Sequence, residues 1–341
     1  MNKKIIYIVG TLFLIGGIFG YNYYQKIFGK AITTNKELFV NDTDSLVDIK
    51  DKIAEYSNKP NTFLWVAAKK SFSKPKTGRY LLKAGMSNND LVNMLRSGNQ
   101  TAVKVSFNNQ DSLEKFAGRI AAQLELDSIS ILTSFSDKNF LNEHQFSEKS
   151  VFQICIPNSY QFYWTVSADN FRDKLLSEYN RFWTSSRLEK AKALKMSKNE
   201  IITLASIVQK ETTKKVERPI VAGLYLNRLQ NGWPLQADPT IIYCIKELKG
   251  QDYNVKRVLK VDLLINSPYN TYQNRGLPPS QIAMPDISAI DAVLNAQKHN
   301  YYYMCADIEK IGYHQFAKTL AQHNRNAVKY QNWLNKKGVH R

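Results

Sequence analysis

The stretch ASIVQKETTKKVERP, from Ala205 to Pro219, contains two carboxylates, Glu211 and Glu217, in different settings. On a helix, Leu204, Val208 and Glu211 are spaced i, i+4 and i+7, which stacks them along one face. Glu211 then carries an apolar stripe to the helix end. Partial desolvation there disfavours the charged form and raises the carboxyl pKa. A carboxyl kept protonated near neutrality is what a general acid requires. The plainer alternative is that Glu211 frays into solvent in the last turn or pairs with a nearby Lys or Arg. Gln209 points away from the stripe. Glu217 opens a second helix, where an acid in the first turn favours the positive end of the dipole.

Further polar groups follow. WPLQADPTIIYC places Gln236, Asp238, Thr240 and Tyr243 close together, and SPYNTYQNRGLPPSQIAMP adds Tyr269, Asn270, Thr271 and Tyr272 before a rigid GLPP turn. Uncharged amides, hydroxyls and flat rings of this kind bind sugars. Each is also ordinary turn chemistry, and Asp238 before Pro239 equally reads as a helix cap. Tyr301 to Tyr303 read as a core strand, and His314 as a hydrogen-bonded structural histidine rather than a base. Cys155, Cys244 and Cys305 are widely spaced without C-x-x-C or adjacent histidines, so they read as small buried hydrophobes rather than a zinc site or disulfide framework.

The elements that must position these groups are legible from caps and periodicity. Ser197 stands three residues before Glu200, a capping-box pattern that starts the helix SKNEIITLASIVQKET. ERPIVAGLYLNRLQNG forms the next helix and stops at Gly232. Upstream, a helix follows Asp44 or Ser45 with Leu46, Ile49 and Ile53 on one face, a strand begins at Gly78 and Tyr80, and Ser87 caps a further helix. VKVSF alternates as a strand, Leu113, Phe116, Ile120 and Leu124 form a helix face, and IPNSYQFYWTVS reads as an aromatic loop entering a helix near Ser167. No βαβ rhythm argues for a doubly wound sheet, so the chain reads as α+β.

With 341 residues, 43% of them hydrophobic, the chain is long enough for two domains and is not disordered. Its net charge of +18 predicts attraction to an anion, which charge alone leaves as nucleic acid, acidic lipid or cell-wall polymer. Ile5 to Gln25 is an uncharged run that would span roughly 30 Å as a helix. A cleaved signal peptide competes, but no small-residue pair around Gly16, Gly17 and Gly20 has the required spacing, which favours an uncleaved anchor. The positive-inside count is nearly balanced. A single span before a large domain most simply leaves that domain outside the cytoplasm, which argues against nucleic acid as a partner.

In order along the chain, LASIVQKET, ERPIVAGLYLNRL, LQADPTIIY, YNTY with GLPP, and HQFAKTLAQHN resemble the motifs of the YceG-like endolytic murein transglycosylases. The resemblance covers nearly the whole chain, and TGRYLLKAGMSNNDLVNML resembles that family's LysM-like subdomain. It implies a cytoplasmic tip and transmembrane anchor over residues 1–27, a LysM-like subdomain over 38–102 and a larger mixed α/β catalytic domain over 103–341. It implies a membrane-anchored lyase that cuts peptidoglycan glycan strands internally, leaving 1,6-anhydro-N-acetylmuramic ends, in association with peptidoglycan synthases. The glutamate of KET, Glu211, is the implied catalytic acid, with Gln236, Asp238, Thr240, Tyr243, Tyr269, Asn270, Thr271 and Tyr272 around the sugar and no metal or cofactor. Many members read VEKET where this chain has Gln209, which counts against a mechanism needing both acids. A hydrolase using Asp238 as second carboxylate, and a noncatalytic wall-binding scaffold, are the alternatives.

Overall fold

Lys3–Phe28 forms one uninterrupted helix, α1, in a computed structural model that describes residues 3–336. Its apolar side chains face outward, with Phe13 81% and Phe19 71% exposed. The 25 residues Lys4–Phe28 span roughly 37 Å at the usual helical rise, long and apolar enough to cross a membrane. At its far end Tyr23 meets the Trp65 ring edge-on at 5.2 Å, and Lys59 Nζ donates to the Gln25 carbonyl at 3.2 Å.

The chain divides into two compact units. One runs to Val105 and includes Gln123–Glu125 and Tyr160–Val166; the other holds Ser106–Ala122, Leu126–Ser159 and the chain from Ser167 onward. Beyond α1, the first unit is built from β1 (Lys36–Val40), α2 (Leu46–Ile53), α3 (Pro60–Lys69), β2 (Gly78–Leu82) and α4 (Asn88–Ser97). β1 and β2 pair antiparallel, with Lys36 opposite Leu82 and Val40 opposite Gly78. This register points Leu38, Val40, Tyr80 and Leu82 to one side, where they meet Ile49, Ile53, Phe63, Leu91 and Leu95 from the helices. Each such burial stabilises by about 1.5–3 kcal/mol. Ser45 with Asp48 and Ser87 with Asp90 form full capping boxes at the starts of α2 and α4.

β3 (Val103–Phe107) pairs with β4 (Asn158–Phe162). The expected aromatic loop after Pro157 is therefore a strand at its start. The cause is alternation: Tyr160 and Phe162 are buried while Ser159 and Gln161 are exposed, the period of a half-covered strand.

The second unit is mostly helical: α5 (Leu113–Ala121), α6 (Ser128–Phe135), α7 (Lys138–Glu143), α8 (Ala168–Phe182) and α9 (Ser185–Ala193) precede the helix that carries Glu211. That helix, α10 (Lys198–Glu211), begins at Ser197 with the predicted capping box and is contacted by α11 (Arg218–Gln230), α12 (Asp238–Lys249) and α13 (Ile287–Leu294). So enclosed, it is buried all round from Ile201 to Gln209 rather than along one stripe. Ser206 is bonded inward: its Oγ donates to the Thr203 carbonyl at 2.7 Å and accepts Ile282 N–H at 3.1 Å. Gln209 is likewise buried, its Oε1 accepting Asp286 N–H at 2.5 Å.

The chain continues through β5 (Tyr303–Ala306), β6 (His314–Ala317) and α14 (Leu320–Lys336). The strand expected at Tyr301–Tyr303 starts only at Tyr303 and is half-buried, because β5 and β6 form a two-stranded antiparallel ribbon contacted by α14. Cys155 and Cys244 are buried and Cys305 half-buried, all three as free thiols.

Candidate active site

Glu211 is the last residue of α10, with Thr212 as C-cap. It is not frayed, and among the described residues it is not paired with a Lys or Arg. The residue keeps partial exposure, but protein crowds its carboxyl, and Tyr225 Oη on α11 donates to Oε1 at 2.5 Å. Burial pushes the Glu211 carboxyl from an ordinary 4.5 up to about 7, and the charge of Asp238 adds to the rise. The Tyr225 hydroxyl, His314 and Arg228 act in the opposite direction without cancelling it. Burial, then the neighbouring carboxylate, holds the Tyr225 hydroxyl well above its usual range, so it stays a donor.

Glu217 has a fuller role than an acid at a helix start. It occupies the N-cap of α11, its side chain makes no capping bond, and the residue is 3% exposed. Its carboxylate accepts Thr212 Oγ1–H at 2.7 Å, His314 N–H at 2.6 Å and the His314 ring through Nδ1 at 2.9 Å. One buried carboxylate thus joins the end of α10, the start of α11 and the start of β6. His314 is hydrogen-bonded, as expected, and also close enough to Glu211 to favour its ionised form. Arg228 is buried, with Nε donating to the Tyr302 carbonyl at 2.8 Å and Nη1 to that of Leu235 at 2.5 Å. Its positive charge also acts on Tyr272.

The downstream polar residues fall into two groups. Asp238 is exposed and Tyr272 half-buried, and Tyr272 Oη donates to Asp238 Oδ1 at 2.6 Å. Both act electrostatically on Glu211 or are acted on by it. Burial, then this bond, holds the Tyr272 hydroxyl above its ordinary range. Gln236 is exposed, with a left-handed φ of 49° and its N–H on the Thr271 carbonyl at 3.0 Å. The second group is internal. Thr240 and Thr271 are buried, with their hydroxyls 2.8 Å apart. Asn270 is buried, donating to the Leu263 and Ile265 carbonyls at 3.0 and 2.8 Å and accepting Tyr272 N–H at 3.0 Å. Tyr269 is buried with its hydroxyl 2.7 Å from Ser280 Oγ, and half-buried Tyr243 packs on its ring at 4.6 Å. These bonds fix the loop that presents Tyr272.

Tyr225, Arg228 and the Glu217–His314 pair escape sequence reasoning. Tyr225 and Arg228 stand i, i+3 on α11, a weak sign that both face one neighbour.

This fold and site define an α+β protein in which burial raises the carboxyl of Glu211 to about 7. The chain belongs to the YceG-like family, whose profile matches residues 38–329. It is 30% identical over 275 residues to the endolytic murein transglycosylase of Bacillus subtilis strain 168, covering 76% of this chain and 74% of that protein. It is 25% identical over 296 residues to the endolytic murein transglycosylase of Streptococcus pneumoniae serotype 2 strain D39, covering 79% of this chain and 53% of that longer protein. A crystal structure of a YceG-like protein from Listeria monocytogenes superposes with a TM-score of 0.56 at 26% identity, covering 86% of this chain and 99% of that one.

Proposed function

We propose that this protein is a membrane-anchored lytic transglycosylase that cuts peptidoglycan glycan strands between N-acetylmuramic acid and N-acetylglucosamine. The observation that carries the reading is the Glu211 carboxyl, raised to about 7 by burial and held by Tyr225. Family membership and the names of its relatives set the substrate. Because Oε1 accepts the Tyr225 hydroxyl, the acidic proton belongs on Oε2. Protonated Glu211 gives that proton to the glycosidic oxygen as the bond from C1 of the muramic sugar breaks. The bonding electrons leave with that oxygen on the departing strand, and positive charge develops at C1. The Glu211 carboxylate, favoured by Tyr225, His314 and Arg228, then takes the proton of the muramic 6-hydroxyl as O6 closes on C1. The product is a 1,6-anhydro end, and no water is consumed. One acid suffices, unlike the carboxylate pair of hydrolases.

Asp238 and Tyr272 flank the sugar in this reading, Gln236 lines its approach, and Tyr243, Tyr269, Asn270, Thr240 and Thr271 shape the loop behind them. α1 is the anchor, with both units outside the cytoplasm, and the β1–α2–α3–β2–α4 unit is a LysM-like module of the wall-facing part. Association with peptidoglycan synthases fits this placement, cleavage then limiting new strands.

The test is mass spectrometry of purified peptidoglycan after digestion. Wild type is expected to leave anhydro ends, and Glu211→Gln to lower their rate of formation by about 10²–10⁴-fold. Reducing muramic ends would instead assign a hydrolase with Asp238 as second carboxylate. Undiminished cleavage by Glu211→Gln would remove Glu211 from the chemistry.

A further inference from the structure

A cavity of about 300 Å³ opens within the second unit, and neither Glu211, Tyr225, Asp238 nor Tyr272 lines it. It shares Asp111 and Tyr243 with a smaller recess that reaches Lys210 and Pro239, the chain neighbours of Glu211 and Asp238. The cavity therefore adjoins the proton-transfer site without being part of it.

Three features define what it would hold. Gln281 lines it, is 4% exposed, and among the described residues neither Nε2 nor Oε1 has a hydrogen-bond partner. A buried amide with both ends unsatisfied costs stability, and a ligand offering one acceptor and one donor, as a peptide group does, removes that cost. Phe152 and Tyr243 supply an apolar wall. At the rim the charge is acidic, a local exception in a chain of +18. Asp111 is neutralised by Lys210 at 2.5 Å and Lys246 at 3.0 Å, and Glu247 by Lys149. Glu114 and Glu148 line the cavity, are exposed, and form no ion pair among the described residues, with Glu114 near enough to Lys149 for the two charges to interact. A peptide amide against Gln281, an aliphatic chain along the aromatic wall and an ammonium at Glu114 and Glu148 meet all three features together.

We propose that this cavity binds a short peptide carrying a free side-chain ammonium, the kind of peptide attached to peptidoglycan strands, and so lets the enzyme read strand substitution beside the bond it cuts. The identification of that peptide as substrate-borne rests on the lytic reading above; the binding site itself does not.

The experiment separates the two. Full-length Glu211→Gln protein in detergent is titrated calorimetrically with the tetrapeptide Ala-Glu-Lys-Ala, its Nε-acetylated form and chitotetraose. The free tetrapeptide is expected to bind saturably, and acetylation to weaken it about 10-fold through loss of charge-assisted bonds. Replacing both exposed carboxylates, Glu114→Gln with Glu148→Gln, is expected to abolish the difference between the two peptides. Gln281→Leu is expected to weaken both alike, with thermal unfolding at or above the wild-type temperature as the control for folding. Equal affinity for free and acetylated peptide, or an unaltered preference in the double variant, overturns the proposal; so does binding of chitotetraose alone, which would mark a sugar subsite. Wild-type cleavage of strands with and without peptides is read separately: absent anhydro ends sink the lytic reading and leave the binding result standing.

Discussion

Glu211 is held between two protonation states because burial and the Asp238 charge favour the neutral form, while the Tyr225 hydroxyl, His314 and Arg228 favour the anion. A group that must first give and then take a proton needs this balance, since a strongly acidic carboxyl would rarely be protonated and a weakly acidic one would hold its proton. The first step of the proposed mechanism requires the protonated form. Accordingly, kcat/KM on purified glycan strands is expected to fall about tenfold per pH unit above about 7, the value burial gives this carboxyl. Tyr225→Phe removes a bond that favours the carboxylate, so the falling limb is expected to move to higher pH. Its kcat should drop as well, because Oε1 loses the donor that orients it. A limb unmoved by Tyr225→Phe would mean that another group titrates.

At the scale of elements, α10 is a buried strut and α11 brings Tyr225 and Arg228 to its end. α11 can do so because Gly223 lets the chain at 297–299 approach closely: a Cβ there would lie 2.2 Å from the Gln297 carbonyl and 2.8 Å from His299 Nε2. Gly223→Ala is therefore expected to destabilise by about 1–3 kcal/mol, as overpacking does, and to lower kcat by displacing Tyr225. Denaturation and steady-state kinetics on one preparation check both, and a variant as stable and active as wild type would show that the contact is not tight. Much of this architecture is legible in sequence because its signals are local. The capping boxes at Ser45, Ser87 and Ser197 and the left-handed Gly232 after α11 lie within a few residues of what they determine. Glu211 stands out because an acid extends an apolar helix. The burial of α10 on all sides, by contrast, depends on three later helices. Likewise Glu217 and His314 are 97 residues apart, and only the folded chain joins them. Tyr225 in a helix reads as ordinary core until its hydroxyl is seen on Glu211.

For the molecule as a whole, the desolvated acid opposes the stability of the fold that contains it. In the unfolded chain Glu211 loses its proton near the ordinary 4.5, whereas in the fold it keeps it up to about 7. Between those values the folded state binds more protons, so this group makes stability fall as pH rises. Below that window both states are protonated and the group contributes nothing. Above it the full penalty applies, at most about 3 kcal/mol and less in so far as the residue's partial exposure lets water screen it. Glu211→Gln keeps the shape and removes the titration. In detergent, the variant is expected to unfold at a higher temperature than wild type at about pH 8, by an equivalent of roughly 1–3 kcal/mol, and to match it near pH 4. An identical difference at both pH values would mean that the substitution acts through packing alone and that the carboxyl is not desolvated. A gain confined to the alkaline side, coupled to loss of cleavage, would identify one buried carboxyl as the source of both the activity and the instability, the trade-off expected where a site is built against the preference of its fold.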